Sequence, residues 1–135
     1  MSDLSFLTNI NDICLFVPDM EAAIDFYQNK MKFEVKSRRG RFYTEFVFCG
    51  TSLTLWAEDE VTAYAIPKEY LGKTGHHFML AIKVPTSEVV DDISAELKKN
   101  GVECISEPQD YHWECRASYF KDIFGNIWEV FASLV

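Results

Sequence analysis

A hydrophobic strand that runs into Val-Pro and then into an N-capped helix occurs twice in this chain, and that repetition constrains the fold more than any other feature. The first copy is Ile13 to Val17, Pro18 and Asp19-Met20-Glu21; the second is Leu80 to Val84, Pro85 and Thr86-Ser87-Glu88. Each copy continues through further strand-like segments to a glycine-containing turn. Each then ends in an apolar strand, Leu53 to Trp56 in the first half and Ile127 to Phe131 in the second. The pattern is that of an α+β chain built from two βαβββ modules. Module one spans about 8–57, a linker about 58–75, and module two about 76–133, all within a single domain 1–135.

Local signals place the elements. Asp19 can accept hydrogen bonds from the free N–H groups of a first helical turn, which predicts a helix over Met20 to Asn29 with Ala22, Ala23, Phe26 and Tyr27 as its apolar stripe. Strand alternation covers Phe33 to Ser37 and Phe42 to Cys49, with Arg39-Gly40-Arg41 as the turn between them. In the second half Thr86 or Ser87 caps a helix that carries Val90, Ile93 and Leu97 on one face and stops at Asn100-Gly101. Strands over Glu103 to Ser106 and Trp113 to Phe120 follow. Ala57 to Gly75 is charged and contains Pro67, Gly72 and Gly75 without clean periodicity, as expected of a linker.

Composition excludes several function classes. A length of 135 residues with 48% hydrophobic and 25% charged side chains suits one globular domain with an ordinary core. A formal net charge of −8 opposes nonspecific nucleic-acid binding, which needs clustered Lys and Arg to neutralise phosphates. Only Lys36 to Arg41 is locally basic, and it reads as a solvated strand end and turn. No segment has the roughly 18 apolar residues of a membrane span, and no basic stretch precedes an apolar one at the N-terminus. Cys14, Cys49, Cys104 and Cys115 lie on strand-like segments without CxxC spacing, so they read as reduced small hydrophobes. A cytoplasmic protein is the expectation.

Strand alternation separates two faces. One carries Ile13, Leu15, Val17, Leu53, Leu55, Leu80, Ile82, Val84, Trp128 and Val130, an apolar set suited to packing under helices. The other carries Asp12, Cys14, Phe16, Ser52, Thr54, Trp56, Met79, Ala81, Lys83, Ile127, Glu129 and Phe131. That mixture is too polar for a sealed core and too aromatic for a wet surface. A ligand cleft satisfies both conditions, and the 15% aromatic content supports it.

The run from Val17 through Pro18, Asp19 and Met20 to Tyr27, and the run from Tyr119 through Gly125-Asn126 to Glu129, resemble the vicinal oxygen chelate superfamily. That superfamily includes glyoxalase I, extradiol dioxygenases, fosfomycin-resistance transferases and bleomycin-resistance proteins. The resemblance covers nearly the whole chain and implies two curled mixed sheets around a cleft, in a homodimer. In its metal-dependent branches, ligands stand early on the first strand and on the last strand of each module. Those positions are held here by Asp12, Thr54, Met79 and Glu129. Thr54 is a poor ligand and Met79 a soft one, whereas a catalytic divalent ion needs three N or O donors and an open position. Asp12, Glu129 and a displaced His77 are the one alternative set; His77 precedes Met79 by two residues, about 6.5 Å along a strand. The style of the chain is therefore closest to the metal-free bleomycin-resistance-like members.

Two readings follow for function. In the first, no cofactor is expected, and a small aromatic molecule is held by Phe16, Trp56, Lys83, Trp113, Arg116 and Phe131, planar cations being the natural test ligands. In the second, the chain is an enzyme, either a metal-dependent lyase, transferase or dioxygenase using Asp12, His77 and Glu129, or a metal-free isomerase with Glu129 as base. Tyr43, Phe46 and Phe48 stay open, because the inward face of their strand cannot be assigned from alternation alone.

Overall fold

The computed structural model describes residues 5, 8, 10–71 and 79–135. In chain order its elements are β1 (Asp12–Val17), α1 (Met20–Ile24) continuing as a π-helical stretch (Asp25–Lys30), β2 (Val35–Arg39), β3 (Tyr43–Phe46), β4 (Ser52–Ala57) and α2 (Glu58–Tyr64). A 3-10 turn (Lys68–Tyr70), β5 (Leu80–Lys83), α3 (Ser87–Lys99), β6 (Glu103–Tyr111), β7 (Cys115–Lys121) and β8 (Ile127–Ser133) complete the order. The strands form two four-stranded sheets, β1-β4-β3-β2 and β5-β8-β7-β6. In each sheet the first strand pairs in parallel with the last strand of its module, and the remaining pairs are antiparallel. The fold is thus α+β with two βαβββ modules, each parallel pair requiring a helical crossover that a hairpin cannot supply.

The backbone groups into two compact units. One holds β1, α1, β2 to β4 and α2; the other holds β5 to β8, α3 and the segment Asp25–Lys32. The boundary falls inside the first helix.

In the first unit, Asp19 Oδ1 accepts from the Ala22 N–H at 3.1 Å, which caps α1. Met20, Ala23 and Ile24 are buried, as are Leu15, Val17, Leu53 and Leu55 on the apolar face of the sheet. Thr44 pairs with Leu55 on that face and, with Phe46, is also buried.

In the second unit, Thr86 accepts from the Val89 N–H to start α3. The helix ends in a Schellman motif, Val102 N–H to Leu97 O at 2.9 Å and Gly101 N–H to Lys98 O at 3.0 Å. Gly101 has φ 87°, a conformation that costs a side-chain-bearing residue energy. Val90, Leu97 and Val102 pack into a core with Leu80, Val84, Phe120, Trp128 and Val130.

The segment from the first helix is anchored in this unit. Tyr27 donates to Asp122 Oδ2 at 2.5 Å, and Trp128 Nε1 donates to the Tyr27 oxygen at 3.2 Å. Asp122 Oδ1 takes the Phe124 and Asn126 N–H groups at 2.8 and 2.7 Å, so one buried carboxylate holds both the β7–β8 turn and the tyrosine.

Four expectations change. The helix predicted to Asn29 is α-helical only to Ile24 and then widens to π geometry, which brings the adjacent Phe26 and Tyr27 both into the interior. The segment read as linker contains α2, whose single buried residue, Val61, is too little to register as a helical period. The strand expected to stop at Ser106 runs on to Tyr111, with Pro108 tolerated because β6 is an edge strand. Trp113 falls in the turn before β7, where Glu114 has φ 63°. His76 and His77 lie outside the described residues. Among the described residues no helix is long and apolar enough to cross a membrane.

Candidate functional site

In the first unit the strand register lines up one row of side chains on the mixed face. Phe16 on β1 pairs with Trp56 on β4, Trp56 with Tyr43 on β3, and Tyr43 with Arg39 on β2. Paired residues on neighbouring strands project to the same face, so this row carries three rings and a guanidinium across the sheet. Phe16 meets Trp56 edge to face, centroids 6.4 Å apart. Directly after β4, α2 turns Glu60 back over the row, and its Oε1 accepts from Trp56 Nε1 at 3.2 Å. Arg39, Tyr43, Trp56 and Glu60 line a cavity of about 360 Å³.

The basic run resolves into different roles. Arg38 projects to the helix side and pairs with Glu21. Arg41 in the turn bonds Asp59 at 2.7 Å, which holds that carboxyl below its usual range, and it stacks on Phe42. Lys36 lies 3.7 Å from Glu45, the next acid on the mixed face. Among the described residues, Arg39 is the basic residue of this run whose side chain has no hydrogen bond or ion pair.

The adjacent row is Cys14, Thr54, Glu45 and Ser37. Thr54 Oγ1 is buried without a hydrogen-bond partner. Burial raises the Cys14 thiol above its ordinary range, with the Thr54 hydroxyl opposing and the Asp12 charge adding to it. A neutral thiol with no base beside it is not an activated nucleophile.

In the second unit the mixed face centres on Glu129, which is 8% exposed. The Tyr119 hydroxyl, directly across on β7, donates to its Oε2 at 2.6 Å. Burial, then this hydrogen bond, push the Tyr119 hydroxyl above the ordinary phenol range. Ala81 and Lys83 on β5 pair with Glu129 and Phe131. Tyr111 stands edge-on to Tyr119 and stacks on Trp113, centroids 4.5 Å apart, while Trp113 Nε1 bonds Cys115 Sγ.

The residues predicted from sequence therefore divide. Phe16, Trp56 and Asp12 belong to the first unit; Lys83, Trp113, Glu129 and Phe131 belong to the second. Arg116 does not join Glu129: it projects to the other face of β7 and bonds Asp91 of α3 at 2.7 Å and Asp110 at 3.0 Å. Arg39 and Glu60 line the cavity without having been singled out in the sequence, and Tyr43, left open there, lines it too. The one legible signal was the four-residue spacing of Trp56 and Glu60.

Among the described residues, the positions that the resemblance implies as ligands are poor donors for a divalent ion. Thr54 offers a neutral hydroxyl beside a neutral thiol, Met79 is an exposed thioether, and Glu129 is already engaged by Tyr119. Among the described residues, no three His, Cys, Asp or Glu side chains converge.

Comparison with known proteins places these features. The model of the Glyoxalase/Bleomycin resistance protein/Dioxygenase superfamily matches residues 9–130. The crystal structure of a glyoxalase/bleomycin resistance protein/dioxygenase from Nocardioides is 30% identical, with TM-score 0.83 over 96% of this chain and 89% of that one. A family enzyme from Burkholderia phytofirmans PsJN is 19% identical with TM-score 0.83, covering 94% of this chain and 100% of its own. A glyoxalase-related enzyme from Fulvimarina pelagi is 18% identical with TM-score 0.77, covering 93% and 88%. The last two bear on the fold alone. On its family match and its paired modules, the chain belongs to the Glyoxalase/Bleomycin resistance protein/Dioxygenase superfamily.

Proposed function

We propose that this protein binds a small planar aromatic molecule without a divalent ion, as a homodimer, in the manner of the bleomycin-resistance-like members. The observation that carries the reading is the row Phe16, Trp56, Tyr43 and Arg39 beside a cavity of about 360 Å³. That volume lies in the range of small-molecule sites, and its rings offer faces on which a flat ligand stacks. The poor donor set at the ligand positions supports metal independence. Four free cysteines support a reducing, cytoplasmic setting.

Titration with planar aromatic compounds, followed by tryptophan fluorescence, tests this reading. Saturable quenching that is lost in Trp56→Ala is the expected result; no saturable binding by any of them would overturn it.

A second reading, a metal-free isomerase, is favoured by the hydrogen bond from half-buried Tyr119 to buried Glu129. A carboxylate held at fixed orientation beside a phenol is equipped to move a proton on a bound substrate. It predicts that Glu129→Gln abolishes turnover while ligand binding persists. The metal-dependent lyase, transferase or dioxygenase reading needs Asp12, His77 and Glu129 to share an ion, and His77 lies outside the described residues.

A further inference from the structure

The cavity of the first unit carries more information about its ligand than the presence of rings. Two of its four lining groups, Trp56 and Glu60, are polar partners of each other. Glu60 accepts the Trp56 indole N–H, which at once occupies the only polar atom of Trp56 and holds one carboxylate oxygen in place. Tyr43 contributes a ring face in the middle of the row. The neighbouring acid, Glu45, is countered by Lys36. Arg39 differs: its guanidinium presents five N–H donors in a planar fork, and none of them meets a partner among the described residues. Its neighbours in sequence, Arg38 and Arg41, each have a carboxylate.

We infer that the ligand of this cavity is an aromatic carboxylate, its ring stacked on Trp56 and Tyr43 and its carboxylate received by the Arg39 fork. This inference rests on the aromatic-binding reading above and sets the charge of the ligand, anionic where sequence alone pointed to planar cations as probes. The geometry suits a ring with a short acidic arm. Two strand spacings separate Arg39 from Trp56, about 10 Å backbone to backbone, with Tyr43 between them. A guanidinium on its long stem covers much of that distance, so an arm of one or two carbons spans the rest. The fork matches a carboxylate bidentately, which adds direction to charge. Glu60, fixed over Trp56, repels an acid placed at the ring end and so sets the polarity of binding, with the acid toward β2.

Calorimetric titration of the whole chain with three indoles of matched ring tests this. The probes are indole-3-acetate, tryptamine and 3-methylindole. Indole-3-acetate is expected to bind about ten- to hundredfold more tightly than the other two, the gain of a charge-assisted pair. Arg39→Gln is expected to erase that advantage, so that indole-3-acetate and 3-methylindole bind this variant with equal affinity. Arg39→Lys, which keeps the charge without the fork, is expected to restore part of it. Arg39 is exposed on an edge strand, and unchanged circular dichroism of both variants confirms that the fold is intact. If the indoles bind but the acid has no advantage, or Arg39→Gln keeps it, the carboxylate assignment falls and the aromatic-binding reading stands. If none of the three binds, the aromatic-binding reading falls and takes this inference with it.

Discussion

Leu15 and Trp56 show how one residue's position in the pleat decides its role. Leu15 is 4% exposed on the helix-packed face of β1, whereas Trp56, on the mixed face of β4, is only half-buried and lines the cavity. Leu15→Ala is expected to cost about 2–5 kcal/mol of unfolding free energy and leave ligand affinity alone. Trp56→Ala is expected to weaken aromatic ligands by about 0.5–2 kcal/mol while the urea midpoint barely moves. Tyr119 adds a dependence on pH. Its ordinary value is 10.0, and the folded protein holds it higher. Above about pH 10 the unfolded chain gives up that proton while the folded chain keeps it, so the unfolded state binds fewer protons and stability falls as pH rises. Tyr27, raised by burial and then by the Asp122 charge, acts in the same direction. Urea unfolding from about pH 8 to 11 should show full stability at the lower end and a decline above about 10. In Tyr119→Phe the decline should be shallower, and the midpoint at the lower pH reduced by loss of a hydrogen bond worth about 1.5–3 kcal/mol.

At the scale of elements, turns and helix ends rest on few groups, and the groups differ in weight. Asp122 accepts from two backbone N–H groups, the Asn126 side chain and Tyr27. Asp122→Ala leaves those donors unmatched in the interior and is expected to cost at least about 3 kcal/mol. Gly101→Ala is expected to cost about 1 kcal/mol, since the nearest atom to an added Cβ is the Lys30 Nζ at 3.8 Å and only the positive φ opposes it. Thermal unfolding of the two variants side by side checks the ranking; equal costs would mean that the Asp122 network is dispensable. The helix α2 belongs to this scale as well. It is short, but it delivers Glu60 to Trp56 and Asp59 to Arg41, so it shapes the cavity.

For the whole molecule, two expectations concern what it carries and how it assembles. Purified without chelators, the protein is expected to hold no stoichiometric Ni, Zn, Mn or Fe by elemental analysis, because Thr54 and Met79 are inadequate donors at two of four positions. Near-unit occupancy that disappears in Glu129→Ala would reverse that expectation and favour the metal-dependent enzyme. Among the described residues, the sheets have β1 and β2 at the edges of one and β5 and β6 at the edges of the other. Such edges are commonly covered by association, and a symmetric homodimer is expected. Light scattering at micromolar concentration should give twice the chain mass.

What this chain's sequence determined by itself is the part governed by local physics. Asp19 and one of Thr86 or Ser87 as helix caps, Asn100-Gly101 as a helix stop, and the alternation that separates Leu15 from Phe16 or Trp128 from Glu129 all depend on neighbours within a few residues. Repeated twice, they specify two βαβββ modules. Tertiary structure decided everything that depends on pairing between distant segments. Whether Tyr43 faced inward could not be read from its own strand; it follows from its register opposite Trp56, and the role of Arg39 follows from its register opposite Tyr43. Of the rings expected from sequence to hold a ligand, Phe16 and Trp56 belong to one unit and Trp113 to the other. Arg116 stands opposite Ala132 in the register, on the other face from Glu129, and bonds Asp91 and Asp110 there, partners 25 residues and 6 residues distant. Alternation along one strand tells which side chains share a face, but only hydrogen-bonded register between strands says which of them meet, and a site is made of those meetings.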